Sequence, residues 1–88
     1  MTVNIKVGDM LKQFTGGREV VGVNGETVRQ CIDDLVKQYP VLKEWLFDSR
    51  GTLMAVVLRG DELLGSSDLK KPVKDGEELS LTYIVGGG

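Results

Sequence analysis

Polar and apolar residues alternate from Thr2 to Val7, so Val3, Ile5 and Val7 fall on one side of an extended segment. A period of two over this length predicts a strand with one covered face. Asp9 to Gly17 breaks the alternation and closes on Gly16-Gly17, a turn signal. Arg18 to Val23 predicts a second strand, paired back on the first. After Asn24-Gly25 the period changes. Val28, Cys31, Ile32, Leu35, Val36 and Tyr39 follow one another by alternating steps of three and one, which draws a single apolar stripe on a helix. Arg29, Asp33, Asp34 and Lys37 fill the outer side. Thr27 stands where a cap would stand, with Gln30 three residues on as a capping box requires, and Pro40 stops the run.

The second half is built from shorter pieces. Val41 to Phe47 has apolar residues at 41, 42, 45 and 46, as a short helical turn would. Asp48-Ser49-Arg50-Gly51 reads as a loop. Leu53 to Leu58 is almost continuously apolar, which predicts a strand covered on both faces, or covered on one and adhesive on the other. Gly60-Asp61 turns the chain and Leu63-Leu64 predicts a short edge strand. Asp75-Gly76 precedes a last strand, Leu79 to Ile84, with Leu79, Leu81 and Tyr83 on one face and Thr82 and Ile84 on the other. Val85 leads into Gly86-Gly87-Gly88.

Strand, strand, helix, strand, short strand, strand predicts an α+β domain. One helix covers only one face of a sheet, so the expectation is a mixed four- to five-stranded sheet with one main helix packed across one face. There is no internal repeat and no linker long enough to separate two domains. We expect one domain over 1–85, followed by a flexible C-terminal glycine tail at 86–88.

Composition narrows the chemistry. At 88 residues the chain suits one domain with a modest core. Its 11 basic and 13 acidic residues are interspersed, giving a net charge of −2 and no basic stripe, so no nucleic-acid partner is expected. No apolar run nears the ~20 residues of a membrane span, and the first residues lack the apolar stretch of a signal peptide. One cysteine cannot form a disulfide within the chain, and a cytoplasmic location is expected. Histidine is absent, which removes the commonest general base and metal ligand. With one Cys and no His, neither an ordinary zinc site nor a Ser-His or Cys-His nucleophile pair can be assembled. Carboxylate, lysine and tyrosine chemistry stays open.

The order of elements, with the last strand running into terminal glycines, resembles the β-grasp fold of ubiquitin and its prokaryotic relatives. Val23-Asn24-Gly25-Glu26-Thr27-Val28, through Leu35 to Tyr39-Pro40, is similar to the strand-turn-helix of the family joining the molybdopterin synthase small subunit and the thiazole-synthesis sulfur carriers. Pro72-Val73-Lys74-Asp75-Gly76-Glu77-Glu78-Leu79 resembles its turn into the final strand, and Gly87-Gly88 falls where its terminal Gly-Gly falls. Leu11-Lys12-Gln13-Phe14-Thr15-Gly16-Gly17 is similar to the longer first hairpin of carriers serving cysteine or homocysteine synthesis. The chain departs from the family pattern at Tyr83, where proline is frequent, and at Gly86, where alanine or serine is frequent.

The resemblance implies a carrier protein rather than an enzyme. The C-terminal carboxylate of Gly88 would be adenylated by a ubiquitin-activating-type adenylyltransferase that consumes ATP, the carrier itself binding no cofactor and no metal. Sulfur from a donor enzyme would then give a thiocarboxylate, and a sulfur-accepting synthase would take it for molybdopterin, thiamin thiazole, or cysteine or homocysteine. As the small subunit of such a synthase the chain would share its active site. Gly86 and Gly87 would thread the tail into the partner, glycine being the residue without a Cβ to obstruct it. A second reading is a ubiquitin-like modifier joined through Gly88 to target lysines, and a third is a β-grasp interaction module with an idle tail.

Other residues are expected to be structural. Cys31 lies on the apolar stripe and predicts a buried, inert thiol. Phe14, Trp45 and Phe47 are expected to pack in or beneath the core. Asp33-Asp34 predicts a solvated helix face, since adjacent helix residues do not face one another. Glu77-Glu78 is expected in a turn and Lys70-Lys71 in a loop. One helix cannot cover the outer faces of strands Leu53–Leu58 and Leu79–Ile84, so an apolar patch there is expected to dock a partner.

Overall fold

The computed structural model of the chain describes residues 1–82. Strand β1 (Thr2–Val7) enters a four-residue helical turn, α1 (Asp9–Lys12), and returns as β2 (Val20–Asn24). The main helix α2 (Val28–Gln38) is followed by the short α3 (Leu42–Leu46), then by β3 (Val56–Arg59) and β4 (Glu62–Leu64). A 3-10 turn over Ser66–Lys70 precedes β5 (Glu78–Thr82). The five strands form one sheet in the order β2-β1-β5-β3-β4. β1 and β5 run parallel and the other neighbours are antiparallel. This is the mixed sheet with one main helix that the hydropathy pattern predicts.

Alternation sorts the sheet into two faces. Val3, Ile5, Val7, Val21, Val23, Val57, Leu64, Leu79 and Leu81 are buried on the inner face. Against them α2 packs Val28, Cys31, Ile32 and Leu35 of the predicted stripe, whose other two members, Val36 and Tyr39, are half-buried at its margin, while α3 adds Leu42 and Leu46. An isolated helix of 11 residues is marginal in water. Burial of this stripe, at ~1.5–3 kcal/mol for each large aliphatic side chain, is what holds it. The hydroxyl of Thr27 accepts from the Gln30 N–H (3.2 Å). Gln30 in turn accepts from the N–H of Glu26 (2.9 Å), one residue ahead of the cap itself.

The structure moves several boundaries. The second strand starts at Val20 rather than Arg18 and extends to Asn24, because Asn24 pairs with Thr2 at the end of the ladder. The apolar run from Leu53 becomes a strand only at Val56. Its first half straps α3 to the sheet instead: Leu53 bridges Phe47, and the Met54 N–H donates to the Leu46 carbonyl (2.6 Å). The turn at Ser66–Lys70, which buries Leu69, has no apolar period to announce it. Glu78 opens β5 rather than lying in the preceding turn. Tyr83 and Ile84, expected to continue that strand, lie outside the described residues.

Asp34 is not merely solvated. Its Oδ2 accepts from the Asn24 N–H (3.0 Å), and Gln38 donates to both the Gly22 carbonyl (2.9 Å) and the same Asp34 oxygen (3.2 Å). β2 is an edge strand, and these two side chains, one turn apart on α2, occupy backbone groups that another strand would otherwise use. Phe14 meets Trp45 with ring centroids 5.0 Å apart, so the long first hairpin folds over α3. Both rings pack against the core, as does Phe47.

Candidate functional site

The residues singled out in the sequence, Gly86, Gly87 and Gly88, lie outside the described residues. What the structure defines is the platform from which the chain reaches them. β5 is an inner strand flanked by β1 and β3. Leu79 and Leu81 anchor it from beneath, each 1% exposed. Ile5 pairs with Leu79 and Val7 with Leu81 on one side, and Val56 pairs with Thr82 on the other. The Gly8 N–H donates to the Leu81 carbonyl (2.8 Å), carrying the ladder one residue past β1. Thr82, the last described residue, is therefore held between two neighbours.

The turn into β5 is fixed as firmly. Gly76 takes φ +81°, a region open to glycine, and its N–H donates to the Thr2 carbonyl (2.7 Å). Asp75 accepts from the Thr2 N–H (2.9 Å). Glu77 accepts from the Lys74 N–H (2.9 Å) and pairs with Arg59 of β3. The Arg59 Nε sits at ion-pair distance from the Glu77 carboxylate without its N–H aligned for a hydrogen bond, while Nη2 donates to the Pro72 carbonyl (2.8 Å). Glu77 is thus a structural member of the turn, not half of an acidic dyad.

The outer face of the sheet is uneven. Asn4, Lys6 and Ser80 give its β1–β5 part a polar character, whereas Val56, Leu58 and Leu63 form an apolar strip across β3 and β4. Leu58 pairs with Leu63, and Leu63 is 64% exposed. Of the Leu53–Leu58 run, Val57 is covered on the inner face, Val56 and Leu58 are half-buried on the outer one, and Met54 is exposed.

The remaining candidates are structural. Cys31 is fully buried, and burial, with Asp34 nearby, pushes its thiol above the ordinary range. Lys71 pairs with Asp68 (3.2 Å) and Glu62 (3.6 Å). The Gly65 N–H and Lys71 hold the Asp68 carboxyl below the usual aspartate range. A groove of about 1080 Å³ lies on the helix side, where Arg29 stacks on Phe47 (4.6 Å) and pairs with Asp33 (3.0 Å). Among the described residues no group of three His, Cys, Asp or Glu could hold a metal ion. No helix among them is long and apolar enough to cross a membrane.

No family profile matches the chain. Over its whole length it is similar to the sulfur carrier protein CysO of Mycobacterium tuberculosis, 28% identical across 93 residues, covering 100% of both. Among solved structures it resembles SAMP1 of Haloferax volcanii, with a TM-score of 0.85, 29% identity and full coverage of both chains. It is also similar to a chain of the BexX/CysO complex of Amycolatopsis orientalis. There the identity is 31%, the TM-score 0.81, and the match covers 98% of this chain and 99% of that one.

Proposed function

Because the chain belongs to the ubiquitin-like sulfur carrier family, with its β-grasp fold, we propose that it carries sulfur as a thiocarboxylate on Gly88. It is a carrier and not a catalyst. The observation that carries this reading is end-to-end likeness to sulfur carriers, reaching 31% identity over 98% of the chain. In support, β5 brings the chain toward Gly88 from the middle of the sheet, fixed by ladder bonds on both sides.

The chemistry follows from the carboxylate. An α-carboxyl titrates near ~3.5 and is ionised at neutral pH, so it is a poor electrophile until activated. The Gly88 carboxylate oxygen attacks the α-phosphorus of ATP on a ubiquitin-activating-type adenylyltransferase, and pyrophosphate leaves. A sulfide-level sulfur nucleophile from a donor enzyme then attacks the acyl carbon, and AMP leaves with the C–O bonding pair. The resulting thiocarboxylate is anionic and soft, and it delivers sulfur in the active site of an accepting synthase. Gly86 and Gly87 thread Gly88 into both partners, and the carrier itself binds no cofactor. The long first hairpin and the likeness to CysO favour cysteine or homocysteine synthesis over molybdopterin or thiazole as the sink, in the cytoplasm.

The relative from Amycolatopsis orientalis was solved in complex with another protein, BexX. The strip of Val56, Leu58 and Leu63 is our choice of docking surface: Leu63 is exposed, and Val56 and Leu58 are half-buried on the outer face of the sheet, opposite α2. Leu63→Asp should leave the unfolding midpoint in place and abolish adenylation by the activating enzyme. Adenylation at the native rate would remove the strip from the interface.

The test of the main reading is mass spectrometry of the chain after incubation with ATP, the activating enzyme and a sulfur donor. One terminal oxygen exchanged for sulfur is the expected product. A chain extended by one residue after Gly88 should form no AMP adduct, and a normal adduct would refute the assignment to Gly88. Likeness to SAMP1, a small archaeal modifier protein, favours a second reading in which the same activated Gly88 is joined to lysines. Conjugates heavier than the free chain would identify it.

A further inference from the structure

Gly8 follows the last residue of β1, and its backbone angles, φ −69° and ψ 167°, are ordinary extended values that any residue adopts. Conformation therefore does not call for glycine here. Space does. A Cβ at position 8 would stand 2.7 Å from the Thr82 Oγ1, 3.3 Å from its Cβ and 3.4 Å from its Cα, and those three atoms are its nearest neighbours. Neither side can step back freely. Gly8 donates to the Leu81 carbonyl (2.8 Å), and its own carbonyl accepts from the N–H groups of Leu11 (3.0 Å) and Lys12 (3.1 Å). Thr82 is backed by Val56 on β3. A shallow depression of about 150 Å³, lined by Lys6, Gly8, Ser80 and Thr82 among others, opens on the outer face at this spot.

We propose that Gly8 is a positioning residue for the carrier reaction: its missing side chain forms a notch that seats Thr82 and thereby sets the direction in which the chain leaves the sheet toward Gly88. The inference rests on the reading of Gly88 as the reacting residue. A side chain at position 8 pinches Thr82 between β1 and β3. A turn of Thr82 about χ1 swings Oγ1 aside, but its Cβ and Cα stay 3.3 and 3.4 Å from the added carbon, so full relief also needs the Thr82 backbone to give where the chain leaves β5. The effect falls on delivery of Gly88 into a partner, not on the chemistry once it is seated. KM for the carrier responds and kcat does not.

Gly8→Ala, Thr82→Ala and the double variant separate this from a general loss of stability. Gly8→Ala overfills the notch, Thr82→Ala removes Oγ1 and Cγ2 from it, and the double variant sets the added Cβ against the space they leave. In pyrophosphate release with ATP and the activating enzyme, each single variant should raise KM by about tenfold, equivalent to about 1.4 kcal/mol of lost binding. The double variant should return to within about threefold of the parent, with kcat unchanged throughout. A native KM in the folded Gly8→Ala chain overturns the proposal, as does a double variant no better than Thr82→Ala. That second comparison serves even if Gly8→Ala alone does not fold. Amide chemical shifts of residues 83–85 provide a readout without the enzyme: they should move in the single variants and return in the double. If the parent is never adenylated while those shifts behave as stated, the carrier reading fails and the notch stands. If the shifts do not respond, the notch fails whatever the enzyme does.

Discussion

Replacing Arg59 with methionine tests what fixes the turn from which β5 starts. Arg59 and Glu77 retain 27% and 18% side-chain exposure, so the pair is neither a surface contact nor a dry one. Exposed pairs contribute ~0.2–1 kcal/mol, and removing one partner of a buried pair costs ~3–5 kcal/mol. At roughly a quarter exposed, the lost pairing should cost about 2 kcal/mol by interpolation between those limits. Loss of the Nη2 hydrogen bond to the Pro72 carbonyl adds about 1 kcal/mol. For a domain of this size, a total of about 3 kcal/mol lowers the melting midpoint by roughly 12–24 °C. Glu77→Gln is the matched partner, since Oε1 can still accept from the Lys74 N–H while the charge is gone. Urea unfolding of the parent, the two single variants and Arg59→Met/Glu77→Gln closes the cycle. A coupling of about 1–2 kcal/mol is expected, reduced only modestly in high salt because the pair is largely buried. A coupling below about 0.5 kcal/mol, the scatter of independent sites, would show that the pair does not hold the turn.

Gly25→Ala should destabilise by about 1–3 kcal/mol, as overpacking does, because a Cβ there would lie 2.8 Å from the Cys31 nitrogen and 2.9 Å from the Gln30 carbonyl carbon; an unchanged urea midpoint would contradict it. Asp34→Ala/Gln38→Ala frees the Gly22 carbonyl and Asn24 N–H at the β2 edge, and sedimentation should then show concentration-dependent self-association that the parent lacks. Cys31 should resist a thiol reagent at pH 8, because burial and the Asp34 carboxylate raise its pKa and leave less thiolate than a free cysteine has; its labelling should follow urea unfolding, and rapid labelling of the folded chain would show the pocket is open. Asp68 contributes stability above the unfolded pKa of an aspartate, near ~3.9, and loses it as pH falls through its lower folded value, so Asp68→Asn should flatten the acid limb of the stability curve. An acid limb unchanged by that substitution would remove Asp68 from the account.

Much of the molecule was legible where one residue type answers one physical demand. Period two over Thr2–Val7 and the three-and-one steps of α2 gave both elements and their buried sides, because a strand or helix with one wet face must write that face into its sequence. Thr27, Pro40 and Gly76 marked ends for equally local reasons, a side-chain cap, a missing N–H and a positive φ. The fate of Leu53–Leu58 was not legible, since an apolar run serves equally to extend a sheet or to strap a helix, and only Phe47 and Leu46 decide which. Asp34 reads as solvated until β2 is laid beside α2.

Near neighbours along the chain were enough to dictate the α+β order and the sidedness of the sheet, and the glycine run at 86–88 is visible without any fold. The sequence also barred histidine-dependent chemistry outright. The tertiary structure was needed to place β5 inside the sheet beside β1, to line up Val56, Leu58 and Leu63 as an apolar strip on the outer face, and to show that Gly8 is needed for space rather than for φ. Those facts depend on pairs of residues brought together from distant parts of the chain, such as Gly8 and Thr82. No local pattern records a distance between them.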